Sequence, residues 1–182
     1  MNQCVIALAG ILGVGKSTVL NQLNQSVDFQ HLVASELISS ERQNRSEAET
    51  AQDELRKGDI DDNQALLIAG FRRLSKAESP TVVMDGHTVI DTPSGVVPVG
   101  LEVFRSIGTT HMVMLVDEPN TILMRRKKDS TRNRPERSAQ ELANYQNASQ
   151  IEGFCVCLNL GIPYLVLPTS RITDLENFLR SL

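Results

Sequence analysis

Gly10, Gly13 and Gly15 lead into Lys16 and Ser17 in the stretch GILGVGKST, which satisfies G-x-x-x-x-G-K-[ST] at every fixed position. Glycines let a backbone turn tightly and point several N–H groups at one centre, and a helix starting at Lys16 adds its positive end there. Residues Gly10, Ile11, Leu12, Gly13, Val14, Gly15, Lys16, Ser17 and Thr18 are therefore expected to cradle the phosphates of a nucleoside triphosphate. Lys16 would reach the β and γ phosphates, and the Ser17 hydroxyl would hold Mg²⁺. The preceding run CVIALA has the character of a buried parallel strand, the support that such a loop requires.

A second constellation is basic. Arg125, Arg126, Lys127, Lys128, Arg132, Arg134 and Arg137 crowd one segment of a chain whose net charge is -4. Alone, such a run fits a solvated helix face or a nucleic-acid patch. Beside a phosphate loop it suits phosphoryl transfer, which is catalysed by positioned positive charge, and planar guanidinium forks match phosphate oxygens. A lid over about 125–140 would supply that charge while excluding water. Asp85 is a third feature. It ends the apolar run TVVMD, where open α/β sheets place ligand groups, so it joins Ser17 as an expected metal residue.

The elements that must position these groups are legible as an alternation. QLNQ closes a first helix, FQHLV is a short strand, and residues from about 35 to 70 read as a helical insertion ending in the amphipathic DNQALLIAGFRRL. TVVMDG is a buried β-branched strand, and Thr92 to Gly95 sit between two β-prone runs as in a hairpin turn. HMVMLV is another strand, Pro119 opens a helix, and a long helix runs from about Ser138 to Asn159 before Gly161 and Pro163 stop it. YLVLP and ITDLENFLRSL supply the last strand and helix. Strands alternating with helices imply one α/β domain over 1–182, a five-stranded parallel sheet with helices on both faces.

Composition bounds the alternatives. With 182 residues, 41% hydrophobic and 22% charged, the chain has the material for one globular core. Aromatics make up 4% and Trp is absent, too few for a base-stacking surface, so no nucleic-acid partner is expected. Cys4, Cys155 and Cys157 are odd in number and lack the two-residue gap of a zinc pair. They are read as plain structural residues, Cys155 and Cys157 within a helix, in a cytoplasmic protein. The apolar VIALAGILGV has no basic residue before it and runs into Lys16, unlike a targeting signal, and no stretch has the length of a membrane span. No [NT]-K-x-D element for guanine follows, which disfavours a small GTPase.

On these motifs the chain resembles the archaeal-type adenylate kinases over nearly its whole length. The residues that carry the resemblance are GILGVGKST, QDELRKG, DGHTVIDTPSGVVPVG as D-x-H…T-P-x-G…P, and MRRKKDSTRNRP. The resemblance implies a three-layer P-loop NTPase fold with a helical acceptor-binding insertion and an arginine-rich lid. It also implies Mg²⁺-dependent transfer of the ATP γ-phosphoryl group to a nucleoside monophosphate, AMP foremost. Arg56 would contact the acceptor phosphate, Asp85 and His87 would lie at the floor of the site, and Arg126, Arg132 and Arg134 would join Lys16 around the transferring phosphates. Several members are trimers, which makes a homo-oligomer an implied state. The chain departs from the pattern at Gln150, near a place where the family tends to carry another arginine. Two other readings of the residues stay open: a kinase of a nucleoside or other hydroxyl acceptor, and an ATP-binding regulatory module without an acceptor.

Overall fold

The apolar run before the phosphate loop forms β1 (Cys4–Ala9), and the loop delivers the chain into α1 (Lys16–Leu23). A computed structural model describes residues 3–45, 60–92, 95–129 and 136–182. Within them β2 (Gln30–Val33) leads directly into α2 (Ala34–Asn44), and α3 (Ile60–Leu74) returns the chain to β3 (Thr81–Asp85). A hairpin of β4 (Val89–Thr92) and β5 (Gly95–Pro98) follows, then α4 (Leu101–Ser106), β6 (His111–Val116), α5 (Pro119–Lys128), α6 (Ala139–Leu160), β7 (Tyr164–Pro168) and α7 (Ile172–Arg180).

The main sheet has the order β2-β3-β1-β6-β7 with every pairing parallel, and the hairpin forms a separate antiparallel ribbon. Burial on both faces explains why β1 reads as an unbroken apolar run. Ile6 and Leu8 face a cluster completed by Leu20 and Leu23 of α1 and Leu175 and Leu179 of α7. Val5 and Ala7 face the opposite cluster, with Leu37 of α2, Phe71 of α3 and Phe104 of α4. Helix α6 spans both layers, giving Leu142 and Tyr145 to the first cluster and Val156 and Cys157 to the second. The fold is the three-layer P-loop NTPase arrangement expected from the sequence.

Strand order fixes where a ligand can sit. From β1 the chain crosses to β2 and β3 on one side and later to β6 and β7 on the other. A crevice opens beyond the carboxyl ends at this reversal, the place where open α/β sheets bind ligands. The phosphate loop leaves β1 there, and Asp85 ends the adjacent β3.

Local chemistry sets several boundaries. Pro119 occupies the first turn of α5, where its missing N–H costs nothing. Ser138 caps α6, accepting from the Glu141 N–H while the Glu141 carboxylate accepts from the Ser138 N–H. Gly161 ends the helix in the left-handed region at φ 66°. Gly70 lets α2 and α3 approach closely, because a Cβ there would stand 2.6 Å from the Leu37 carbonyl oxygen. Helix α4 has no counterpart in the sequence reading; it is a six-residue element too short to show a helical period.

Candidate functional site

The loop between β1 and α1 holds its shape through glycine. Gly13 and Gly15 have φ of 83° and 115°, in the range that a Cβ disfavours. A Cβ on Gly13 would also lie 2.9 Å from Arg126 Cγ, and one on Gly10 would lie 2.8 Å from the Leu115 carbonyl oxygen. The loop is a cradle that side chains would fill.

Lys16 folds back over this cradle. Its Nζ donates to the Gly10 carbonyl at 2.8 Å and lies 3.7 Å from Asp85 Oδ1. His87 donates from Nδ1 to the same carbonyl at 2.7 Å, which ties the chain after β3 to the start of the loop. The structure thus brings Lys16, Asp85 and His87 to one point, with Ser17 beside them at the mouth of the cleft. His31, unremarked in the sequence, stands with Nε2 3.9 Å from Asp85 Oδ2. Its β2 position, opposite Val83, became readable only once strand order was known.

Helix α5 braces the loop from the other side. Arg125 Nη1 donates to the Val14 carbonyl at 2.6 Å and to Asp117 Oδ2 at 2.7 Å, while Arg126 Nε donates to the Leu12 carbonyl at 2.9 Å. These two residues of the basic run therefore lie on a helix in contact with the phosphate loop. Asp117 is fixed in turn. Burial pushes its carboxyl up, but hydrogen bonds from Thr169, the Glu118 N–H and Arg125 outweigh that effect and hold it below the usual value. Gln146 of α6 clamps the Asp117 backbone at both its N–H and its carbonyl. Arg125 and its anchor Asp117 were missed because nothing in a basic run shows which cation meets a backbone carbonyl.

A cleft of about 390 Å³ runs from the loop to an apolar chamber. The loop end carries Gly13, Gly15, Lys16, Ser17, Thr18, Asp85 and His87. The chamber is walled by Ile38 of α2, Leu67 of α3, Val103 and Phe104 of α4 and Ile90 of the hairpin, with polar groups at Ser35, Asn63, Gln64 and Asp91. The hairpin is pinned to α6. Thr88 Oγ1 donates to the Ser149 carbonyl at 2.7 Å, Tyr145 Oη donates to the Val89 carbonyl at 3.3 Å, and Arg137 pairs with Asp91 at 2.7 Å.

The residues present fit both ATP and Mg²⁺. The glycine cradle, the start of α1 and Lys16 suit phosphate oxygens. A hydroxyl from Ser17 and a carboxylate from Asp85 are hard oxygen donors of the kind Mg²⁺ takes. Arg56, Arg132 and Arg134 lie outside the described residues. Gln150 is half-buried on α6, where its side chain donates to the Gln146 carbonyl at 3.4 Å and its own carbonyl accepts from Tyr164 Oη. Cys155 is exposed and Cys157 buried on α6, both as free thiols. No helix among the described residues is long and apolar enough to cross a membrane.

Comparison with known proteins agrees with this geometry. Residues 9–143 match the family model described as an AAA domain, from the end of β1 into α6. The chain belongs to this AAA domain family. Curated relatives include adenylate kinases of Thermoplasma acidophilum, 29% identical with 79% of this chain and 77% of the relative covered, and of Methanocaldococcus jannaschii, 28% identical with 80% and 79% covered. The adenylate kinase of Pyrococcus abyssi is 23% identical over 98% of this chain and 92% of its own. Among solved structures, the shikimate kinase of Bacteroides thetaiotaomicron superposes with a TM-score of 0.59 at 14% identity, covering 97% of this chain and 98% of its own. TT1252 from Thermus thermophilus gives 0.58 at 17% identity, with 100% and 99% covered. These likenesses establish the P-loop kinase-like fold of the chain.

Proposed function

We propose that the protein catalyses Mg²⁺-dependent transfer of the ATP γ-phosphoryl group to a nucleoside monophosphate, with AMP as the preferred acceptor. The observation that carries this reading is the single cleft joining the glycine cradle and Lys16 to the apolar chamber between α2, α3, α4 and the hairpin. One end suits a triphosphate and the other an apolar base. The likeness to adenylate kinases supports AMP as the acceptor.

Lys16, released from the Gly10 carbonyl, neutralises β and γ oxygens, and the loop N–H groups hold them in line. Bound Mg²⁺ would neutralise and orient phosphate oxygens, with Ser17 and Asp85 holding it. Arg126, Arg132 and Arg134 meet the charge that develops on the transferring group, and Arg56 holds the acceptor phosphate. Closure of the 125–140 segment excludes water, which would otherwise take the phosphoryl group. A monophosphate has a second pKa of about 6, so its attacking oxygen is already ionised at neutral pH and no side chain has to remove a proton.

An acceptor panel tests the proposal: ATP and Mg²⁺ alone, then with each nucleoside monophosphate and each nucleoside, following ADP formation. The expected result is turnover that depends on a monophosphate, fastest with AMP. Turnover only with a nucleoside would establish the hydroxyl-acceptor reading, and equal turnover without any acceptor would establish the regulatory module.

A further inference from the structure

Asp91 combines burial, a fixed partner and an unsatisfied atom. It is 2% exposed on β4, borders the cleft, and gives Oδ1 to Arg137 Nη2 at 2.7 Å. Its other oxygen, Oδ2, is shielded from water and accepts no hydrogen bond among the described residues. A buried carboxylate oxygen without a donor is costly, so such an atom in a ligand cleft calls for an explanation. The Arg137 pairing fixes Asp91 in place: the hydrogen bond to this carboxylate raises the Arg137 pKa, and Glu141 holds the same guanidinium at 3.4 Å.

An ionised carboxylate only accepts hydrogen bonds. It repels a phosphate and any carbonyl, and it favours a ligand atom that donates. Asp91 stands on the strand that leaves the phosphate end at His87 and borders the apolar chamber. A monophosphate whose phosphate faces the ATP γ-phosphate held at Lys16 and whose base lies in that chamber presents sugar hydroxyls between the two. Resting on the acceptor reading above, we propose that Asp91 Oδ2 accepts a hydrogen bond from a sugar hydroxyl of the bound monophosphate, which makes Asp91 a specificity residue for ribonucleotide acceptors.

The test is equilibrium binding of AMP, 2′-deoxy-AMP, 3′-deoxy-AMP and inosine monophosphate to the full chain, wild type against Asp91→Asn and Asp91→Ala. Asn preserves the shape and a hydrogen bond to Arg137, and thermal melts establish that each variant is folded. A hydrogen bond to a charged group corresponds to about tenfold or more in affinity. The wild type should therefore bind one deoxy analogue about tenfold more weakly than AMP, and that penalty should fall to about twofold in both variants. If AMP binds normally but the deoxy penalty is absent or the variants leave it unchanged, the assignment to Asp91 is overturned while the acceptor reading stands. A penalty that the variants remove for inosine monophosphate alone would assign Asp91 to the base and overturn the sugar contact. Failure of AMP to bind the wild type overturns the acceptor reading and this assignment with it. Unchanged binding of all four ligands with transfer abolished in Asp91→Asn would make Asp91 a proton acceptor, again overturning the sugar contact.

Discussion

Lys16 Nζ lies 3.7 Å from Asp85 Oδ1, and both side chains are 9% exposed. At this depth the two charges need each other, because an isolated buried charge is expensive. The pair holds the lysine pointed into the cradle before any phosphate arrives.

Lys16→Met is expected to reduce transfer to any acceptor by about two to three orders of magnitude, the scale of losing a preorganised charge stabiliser. Asp85→Asn should act through the metal, so raising Mg²⁺ should recover part of its lost rate. Steady-state kinetics at several Mg²⁺ concentrations check both; a rate in Asp85→Asn that no Mg²⁺ concentration improves would remove Asp85 from the metal set.

Arg125→Ala should weaken ATP binding about tenfold, since it removes the donor to the Val14 carbonyl and the partner of Asp117. Calorimetric titration with a non-hydrolysable ATP analogue measures this. Unaltered affinity would reduce the α5 contact to incidental packing.

Asp117 adds a pH signature. Its folded-state pKa is depressed below the ordinary value of 3.8, so its contribution to stability is present above that value and is lost as pH falls through the folded-state pKa. Asp117→Asn should cost about 1–2 kcal/mol at pH 7, and the gap to wild type should shrink under strong acid. Urea melts at neutral and acid pH check this, and a gap that widens in acid would contradict the assigned hydrogen bonds.

Gly70→Ala should destabilise the fold by about 2–3 kcal/mol, because the new Cβ meets backbone, the Leu37 carbonyl, at 2.6 Å. Ordinary van der Waals tolerance at this site would appear as an unchanged melting midpoint.

The thiols should separate by reactivity. Burial pushes Cys157 up to about 11, whereas Cys155 is exposed. At pH 8 an alkylating reagent should modify Cys155 rapidly and Cys157 only slowly, with peptide mapping as the readout, and replacing both with Ala should leave transfer nearly intact.

The phosphate loop was legible because such a loop demands particular residues at fixed spacing, and the place of Asp85 at the end of β3 was legible because a β-branched run stops there. The main strands were readable because burial on both sheet faces leaves continuous apolar runs. Arg125, His31 and Asp91 were not readable as site members. Each depends on packing between elements far apart in the chain: α5 against the loop, β2 beside β3, and the hairpin against α6. Helix α4 escaped because six residues carry too little periodicity, although Val103 and Phe104 line the apolar chamber.

The most direct measurement follows the fate of label in ATP carrying ³²P at the γ position, incubated with Mg²⁺ and AMP. The account predicts that label passes to AMP and appears in the β position of ADP, at a rate that vanishes without AMP. Label released as inorganic phosphate at the same rate with or without AMP, or carried onto an added nucleoside in preference to AMP, would contradict it.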